Sequence, residues 1–420
     1  MTDSAARTPS HIRRVVQPLQ EFIHTEVAGG VILLLAALIA ILWANSRWDE
    51  SYFDLIHHTI SLDILGLSFE EDLQHLVNDG LMTLFFFVVG LEIKRELTRG
   101  ELQGWDRAAL PAFAAVGGML APALIYTAIN VGGDGADGWG IPMATDIAFA
   151  LGLLAILGSR IPAPLRVFLL ALAIVDDIGA ILVIAVFYTA ELEPEYLVIA
   201  AALLGLIFAM NRGGIRAFAP YFLVGGLVWL AVYESGIHAT IAGVILGLMT
   251  PGETTPGQDE PPLDRLERGL HPITGYVIVP LFAFANAGIA LGGGAIRDSL
   301  SESITIGVIL GLVIGKPLGI LAFSWLAVRT GKVLLPPGVT WSHMLGVGLL
   351  AGVGFTVALF INDLAFDAPA AIDEGKIGIL LGSLIAAALG LITLSAVTSR
   401  PRPGAYEPDR THTPEGKTSV

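Results

Sequence analysis

Two adjacent aspartates, Asp176 and Asp177, sit midway along an apolar run from about residue 167 to 190. As a helix, that run is long enough to cross a ~30 Å hydrocarbon core. A charged aspartate at mid-bilayer costs roughly 2.5–3.5 kcal/mol on insertion scales, so a pair is expensive for a segment that only packs. Successive helical residues point about 100° apart, which lets both carboxylates border one cavity. At ~4 Å and an effective dielectric of ~20, two negative charges repel by roughly 4 kcal/mol. A proton or a cation relieves that repulsion, and a site that holds each in turn can exchange one for the other across a membrane. The alternative is a structural pair that hydrogen-bonds two helices together.

Three more polar groups interrupt apolar stretches. Thr145-Asp146 lies just after Pro142, in a segment that reads as a broken helix. Broken helices expose partial charges of both signs at mid-membrane. Asp146 can offset the positive half-helix ends while Thr145 offers a hydroxyl and a carbonyl to a desolvated cation; a plain helix cap at the surface is the other reading. Lys316, in Gly315-Lys316-Pro317, is the only charge between Glu302 and Arg329. A lysine at that depth needs a carboxylate, a cluster of carbonyls or water, and Asp176 or the negative half-helix ends would serve. Asp79, in Asn78-Asp79-Gly80, reads equally as a residue of the cavity funnel or as a cap. Glu92, Lys94, Arg95 and Glu96 close the same segment and read as a solvated helix end with i,i+4 pairing. His238 and His271 read as helix-end histidines rather than ligands, and no His/Glu spacing resembles a resident metal site.

The elements that must position these residues follow from composition. Of 420 residues, 54% are hydrophobic and 15% charged, against about 25% charged in soluble domains. The chain reads as a polytopic membrane protein. Without cysteines it has no disulfide, thiolate metal site or cysteine nucleophile. A net charge of −15 with no basic patch speaks against nucleic acid. Residues 1–26 are polar and lack the features of a signal peptide. Apolar windows predict about twelve transmembrane helices, at about 27–46, 74–93, 108–130, 140–157, 167–188, 196–211, 218–234, 237–250, 271–290, 303–326, 341–361 and 376–398. Lys and Arg concentrate on the N-terminal side, with only Arg47, Arg297 and Lys376 opposite, which places both termini in the cytoplasm. The organisation expected is a cytoplasmic segment (1–26), a transporter domain (27–398) and a polar, disordered cytoplasmic tail (399–420). Within the domain, spans three to five (about 108–190) and ten to twelve (about 303–398) read as an inverted repeat. Each has a discontinuous middle helix, at Gly138 to Asp146 and at Gly346 to Thr356, the pattern that marks a transporter's midplane site. In the longest external loop, Ser61 to Glu70 alternates around Gly66 as a small β-hairpin.

With these residues assembled, the chain resembles the NhaA family of bacterial sodium/proton antiporters from about residue 29 to 398. The carriers are Leu91-Glu92-Ile93-Lys94-Arg95-Glu96, Ala144-Thr145-Asp146-Ile147-Ala148-Phe149, Leu172-Ala173-Ile174-Val175-Asp176-Asp177, Gly236-Ile237-His238-Ala239-Thr240, Phe284-Ala285-Asn286-Ala287-Gly288, Gly315-Lys316-Pro317 and Gly352-Val353-Gly354-Phe355-Thr356. The resemblance implies an inner-membrane antiporter with twelve helices, the fourth and eleventh broken and crossing. Asp177 and Asp176 would carry sodium or lithium and protons, Asp177 most directly. Thr145 and Asp146 would line the crossing, and Lys316 would pair with Asp176 and balance the helix ends. It implies a homodimer through the external hairpin near Gly66, no cofactor, and pH sensing at Glu92, Glu96, Glu267 and His271. The chain departs from the family at Arg268, where some relatives carry histidine. Asp363, just after the eleventh span, is also unusual and is expected at the external mouth.

The reading is electrogenic, pH-regulated antiport by alternating access. Its rivals are a sodium-coupled organic anion symporter, which needs a roomier polar cavity, and an intramembrane aspartyl protease using Asp146 with Asp176 or Asp177. The protease signatures are missing: Gly132-Gly133-Asp134 falls one residue short of Gly-x-Gly-Asp.

Overall fold

The computed structural model describes residues 28–64, 67–189, 192–215, 218–254, 260–292, 295–331 and 333–398. The expected N-terminal segment, the tail after residue 398 and the hairpin tip at Gly66 lie outside the described residues. The chain opens with α1 (Ala28–Ala44) and α2 (Asp49–Ile56). Strands β1 (Thr59–Ile64) and β2 (Leu67–Asp72) then pair antiparallel, with Thr59 opposite Asp72 and Ile64 opposite Leu67. The period-2 pattern read around Gly66 is this hairpin. Helices α3 (Leu73–Arg99) and α4 (Trp105–Asn130) follow. A 3-10 stretch (Ala136–Met143) leads into α5 (Ile147–Ile156), and α6 (Ala163–Phe187) carries the two aspartates. Next come α7 (Pro194–Arg212), α8 (Phe218–Tyr233) and α9 (Thr240–Met249). The remainder is α10 (262–286), the short α11 (Ala295–Ser299), α12 (Ser303–Arg329), α13 (Trp341–Ala351), α14 (Phe355–Ala365) and α15 (Pro369–Thr398).

Among the described residues, seven helical segments are long and apolar enough to cross a membrane, and α13 with α14, bent by 48° at their break, makes an eighth. The windows expected at 27–46, 218–234 and 237–250 fall on shorter apolar helices, α1, α8 and α9. Large apolar side chains such as Leu124, Val198, Phe222 and Leu384 point outward from separate helices, as a lipid-facing surface requires. This is a multi-pass helical membrane protein.

Between helices in lipid, close backbone approach replaces the hydrophobic effect as the source of packing. A Cβ on Gly319 of α12 would stand 2.0 Å from the Gly117 carbonyl oxygen of α4, so only glycine allows that crossing. Among the described residues, three helices also widen by one residue into π-turns, at Leu76–Leu81 in α3, Thr274–Ile278 in α10 and Gly311–Gly315 in α12. Such turns leave backbone groups off the regular ladder and are common at functional positions. The turn in α12 lies against α4, where a Cβ on Gly315 would come 2.7 Å from Pro122 Cα, and it delivers Lys316 to the interior.

Candidate ion-binding site

α6 buries both aspartates, Asp176 at 1% and Asp177 at 7% exposure. The 100° step between them sends the two carboxylates to different surroundings. Asp176 Oδ2 lies 2.6 Å from Lys316 Nζ, a fully buried ion pair. The Thr145 hydroxyl lies 2.6 Å from the same oxygen and 2.9 Å from the Ala351 carbonyl, its one hydrogen shared between them. Asp176 Oδ1 is buried without a hydrogen-bond donor. Asp177 instead borders a cavity of about 70 Å³ whose lining also includes Thr145, Asp146, Thr356, Glu92 and His271. Asp176 is not part of that lining, so the expectation that both carboxylates border one cavity gives way to a division: one is tied and one is open.

The two interrupted helices meet beside the pair. At the first break, residues 144–146 are extended between the 3-10 stretch and α5. At the second, residues 352–354 separate α13 from α14. Asp146 N–H donates to the Val353 carbonyl at 2.7 Å. Asp146 caps its own helix by accepting from Phe149 N–H at 2.9 Å. Its other oxygen accepts from the Thr356 hydroxyl at 2.6 Å and faces the Thr356 N–H at 3.3 Å. One buried carboxylate thus caps two helix N-termini, each equivalent to roughly +0.5 charge. At the opposite polarity, Lys316 Nζ donates to the Met143 carbonyl that ends the 3-10 stretch. Thr145 and Asp146 are therefore both cap and buried site, although the sequence reading set those roles against each other.

The remaining candidates form a second region. His271 Nε2 is 3.6 Å from a Glu92 oxygen, at the cavity wall. Glu96 pairs with Arg95 at 3.2 Å and accepts from Glu101 N–H at 2.9 Å. Arg95 also pairs with the buried Glu267. The helix end expected to be solvated instead packs on α10, where Arg95 meets Glu267 and Glu92 lies beside His271, in addition to the Arg95–Glu96 pair within α3. In α10, before the apolar stretch, burial raises the Glu267 carboxyl, opposed by the Arg95 and His271 charges. Arg268 points away and is bound in a fork by Glu260 at 2.7 and 2.5 Å. Asp79 lies in the π-turn of α3, 3.9 Å from His238, and is not part of the cavity lining. Asp363 lies within α14 rather than after its span, 3.7 Å from Lys376 and 3.2 Å from Asn78.

Sequence reasoning assigned no role to Thr356, though it ends a quoted glycine-rich motif, nor to the carbonyls of Met143, Ala351 and Val353. A hydroxyl in the first turn of an apolar helix usually bonds to nearby backbone, so only the fold assigns Thr356, the second residue of α14, to Asp146. Among the described residues no cluster of three or more His, Cys, Asp or Glu could hold a resident metal.

Interrupted helices joined at a buried, lysine-paired aspartate site define an ion-handling membrane protein. The family model Na+/H+ antiporter 1 matches residues 20–394. A Na(+)/H(+) antiporter NhaA from Rhodopirellula baltica is 46% identical, covering 90% of this chain and 94% of that one. Proteins of the same name from Bordetella parapertussis and Mesorhizobium japonicum are each 48% identical, over 92% and 91% of this chain and 98% and 95% of theirs. The chain belongs to the Na+/H+ antiporter 1 family.

Proposed function

We propose that this chain exchanges sodium or lithium for protons across a bacterial cytoplasmic membrane. The relatives' names and the site chemistry support the reading, and the observation that carries it is the unequal treatment of the two aspartates. Lys316 and Thr145 hold Asp176 in place, while Asp177 faces a cavity with room for a few waters or one ion. Sodium occupies the site when the carboxylates are deprotonated, and protonation expels it. Asp177 is the primary carrier. Asp176 adds its unbonded oxygen, Thr145 and Asp146 border the seat, and Lys316 balances charge. Two carboxylates allow up to two protons against one monovalent cation, an exchange that moves net charge.

Twelve spans, with α1, α8, α9 and α10 among them, both termini in the cytoplasm and an inverted repeat over about 108–190 and 303–398, complete the architecture we infer. The broken segments fall at corresponding places in the two halves, which supports the repeat. The basic residues' one-sided distribution supports the orientation. We infer a homodimer in which the edges of the β1–β2 hairpin pair between copies. The Glu92, Glu96, Glu267 and His271 group sets the pH response, with Asp79 on the opposite approach.

A cavity of about 70 Å³ is far below the several hundred Å³ of organic-ligand sites, which disfavours the symporter. Asp146 is engaged by Phe149 and Thr356, and the family is one of antiporters, which leaves the protease reading without support. The test is a dye reporting ΔpH in proteoliposomes acidified inside. Added sodium or lithium should dequench it, whereas no response to either would refute the proposal.

A further inference from the structure

α3, α10 and α14 run side by side through three levels. At the first, Glu92, Thr274 and Thr356 line the Asp177 cavity. At the second, the buried rings of Phe86, Phe282 and Phe360 close on one another, with centroids 5.4 Å apart for Phe86–Phe360 and 6.2 Å for Phe282–Phe360. Phenyl rings packed tilted and edge-on in this way put carbon where an ion would need oxygen ligands. One turn further along α10 and α14, and two turns back along α3, the level becomes polar again.

Asn78 and Asn286 face each other there: Asn286 Nδ2 donates to Asn78 Oδ1 at 2.7 Å, and Asn78 Nδ2 lies 3.2 Å from Asn286 Oδ1. Gln74 Nε2 donates to Asn286 Oδ1 at 2.8 Å. Asn78 Nδ2 also lies 3.2 Å from Asp363 Oδ2. Asp363 Oδ1 is buried and accepts no hydrogen bond. The buried ammonium of Lys376, from α15, stands 3.7 Å from it, beyond hydrogen-bond length. Within α15, the exposed Asp373 lies three residues from Lys376 and within its electrostatic reach. Packing α14 against α15 does not by itself require this group: a buried ion pair replaced as a whole by apolar residues of similar volume is often no less stable. Asn78 now turns its amide nitrogen to the carboxylate, but with the two amides rotated, a carboxylate and two amide oxygens form a hard donor set suited to an alkali cation that has shed water.

We propose that Asp363, with the side-chain oxygens of Asn78 and Asn286, is a second station for the transported alkali cation. The aromatic level separates it from the Asp177 site, and Lys376 stands in for the cation while the path on that side is shut. When a cation arrives, the ammonium moves off toward Asp373 and the asparagine pair turns its oxygens inward. The station rests on the antiport reading and adds to it a binding step peculiar to one face.

The test is sodium-driven proton movement in vesicles of known orientation, with sodium added to each face in turn. For Asp363→Asn, the half-saturating sodium concentration should rise at least tenfold on the face nearer Asp363 and stay within twofold on the face nearer Glu92. For Lys376→Gln, which keeps the carboxylate and removes its tethered competitor, it should fall several-fold on the Asp363 face alone. The double variant should behave as Asp363→Asn. A pair that only braces α14 against α15 predicts otherwise: both single variants impair the two faces alike and the double variant recovers. That pattern, or a Lys376→Gln protein with unchanged or weaker sodium dependence on the Asp363 face, overturns the proposal whether or not Asp363→Asn folds. Absence of sodium-driven proton movement in the unmodified chain would refute the antiport reading instead.

Discussion

Asp146 and Thr356 belong to different interrupted helices, and the Thr356 hydroxyl donates to Asp146 Oδ2 at 2.6 Å. The bond joins the start of α14 to the start of α5. With Asp146 N–H on the Val353 carbonyl and Thr145 between Asp176 and Ala351, the two breaks form one hydrogen-bonded unit. Neither half-helix can shift without disturbing a group that contacts the aspartate pair. In the exchange we propose, this unit is what would couple ion loading to movement.

Thr356→Val keeps the shape and removes the donor to a buried carboxylate. We expect a loss of about 1–3 kcal/mol of stability, and a larger fall in maximal exchange rate than change in half-saturating sodium. Thermal melting in detergent and antiport kinetics at several sodium concentrations check both. A change confined to half-saturation would show that Thr356 is an ion ligand instead.

Lys316→Met strands Asp176 in a buried environment, at a cost of about 3–5 kcal/mol. Combining it with Asp176→Asn should recover most of that loss, because the uncompensated charge is gone. The double-mutant cycle measures the coupling directly. Additive losses would mean that the 2.6 Å contact contributes little.

The crossing of α4 and α12 leaves no space for a side chain at Gly319. Gly319→Val should abolish detergent-stable protein, while Gly226→Ala, where nothing lies within 4 Å of the added carbon, should change the melting temperature by no more than a degree or two. Equal tolerance of both would contradict the packing described for this crossing.

Glu267 keeps its proton to higher pH than an ordinary glutamate because burial outweighs the opposing charges of Arg95 and His271. Loss of Arg95 removes a charge that favours the ionised form, so Glu267 should lose its proton only at still higher pH. If this group sets the pH response, Arg95→Gln should move the activation midpoint to more alkaline pH, and Glu267→Gln should flatten the profile. Dye-reported antiport over a series of pH values checks the sign, and an acid-ward shift in Arg95→Gln would contradict it.

The aspartate pair, Lys316 and the Thr145-Asp146 break were legible because a polar group in an apolar run stands out against the cost of burying it. The hairpin was legible from its alternation. What the pattern could not supply was direction around a helix: only the resemblance set Asp177 apart as the more direct carrier, and the fold turns Asp176 to Lys316 and Asp177 to the cavity. Partners distant in the chain were equally hidden. Asn78, Asn286 and Asp363 come from three separated segments, and Glu267 meets Arg95 only because α10 packs on α3. Hydropathy windows also located α1, α8 and α9, and the windows at 218–234 and 237–250 were themselves short.

The central claim is that one site, open at Asp177, is loaded by sodium and protons in competition. Adding saturating sodium to the purified protein in weakly buffered detergent solution tests it most directly, with a pH electrode or indicator recording protons displaced. The unmodified chain should release protons on sodium addition, to an extent that falls as the starting pH rises, and Asp177→Asn should release almost none. Undiminished proton release by folded Asp177→Asn, or sodium binding to the unmodified chain with no release at any pH, would contradict the account.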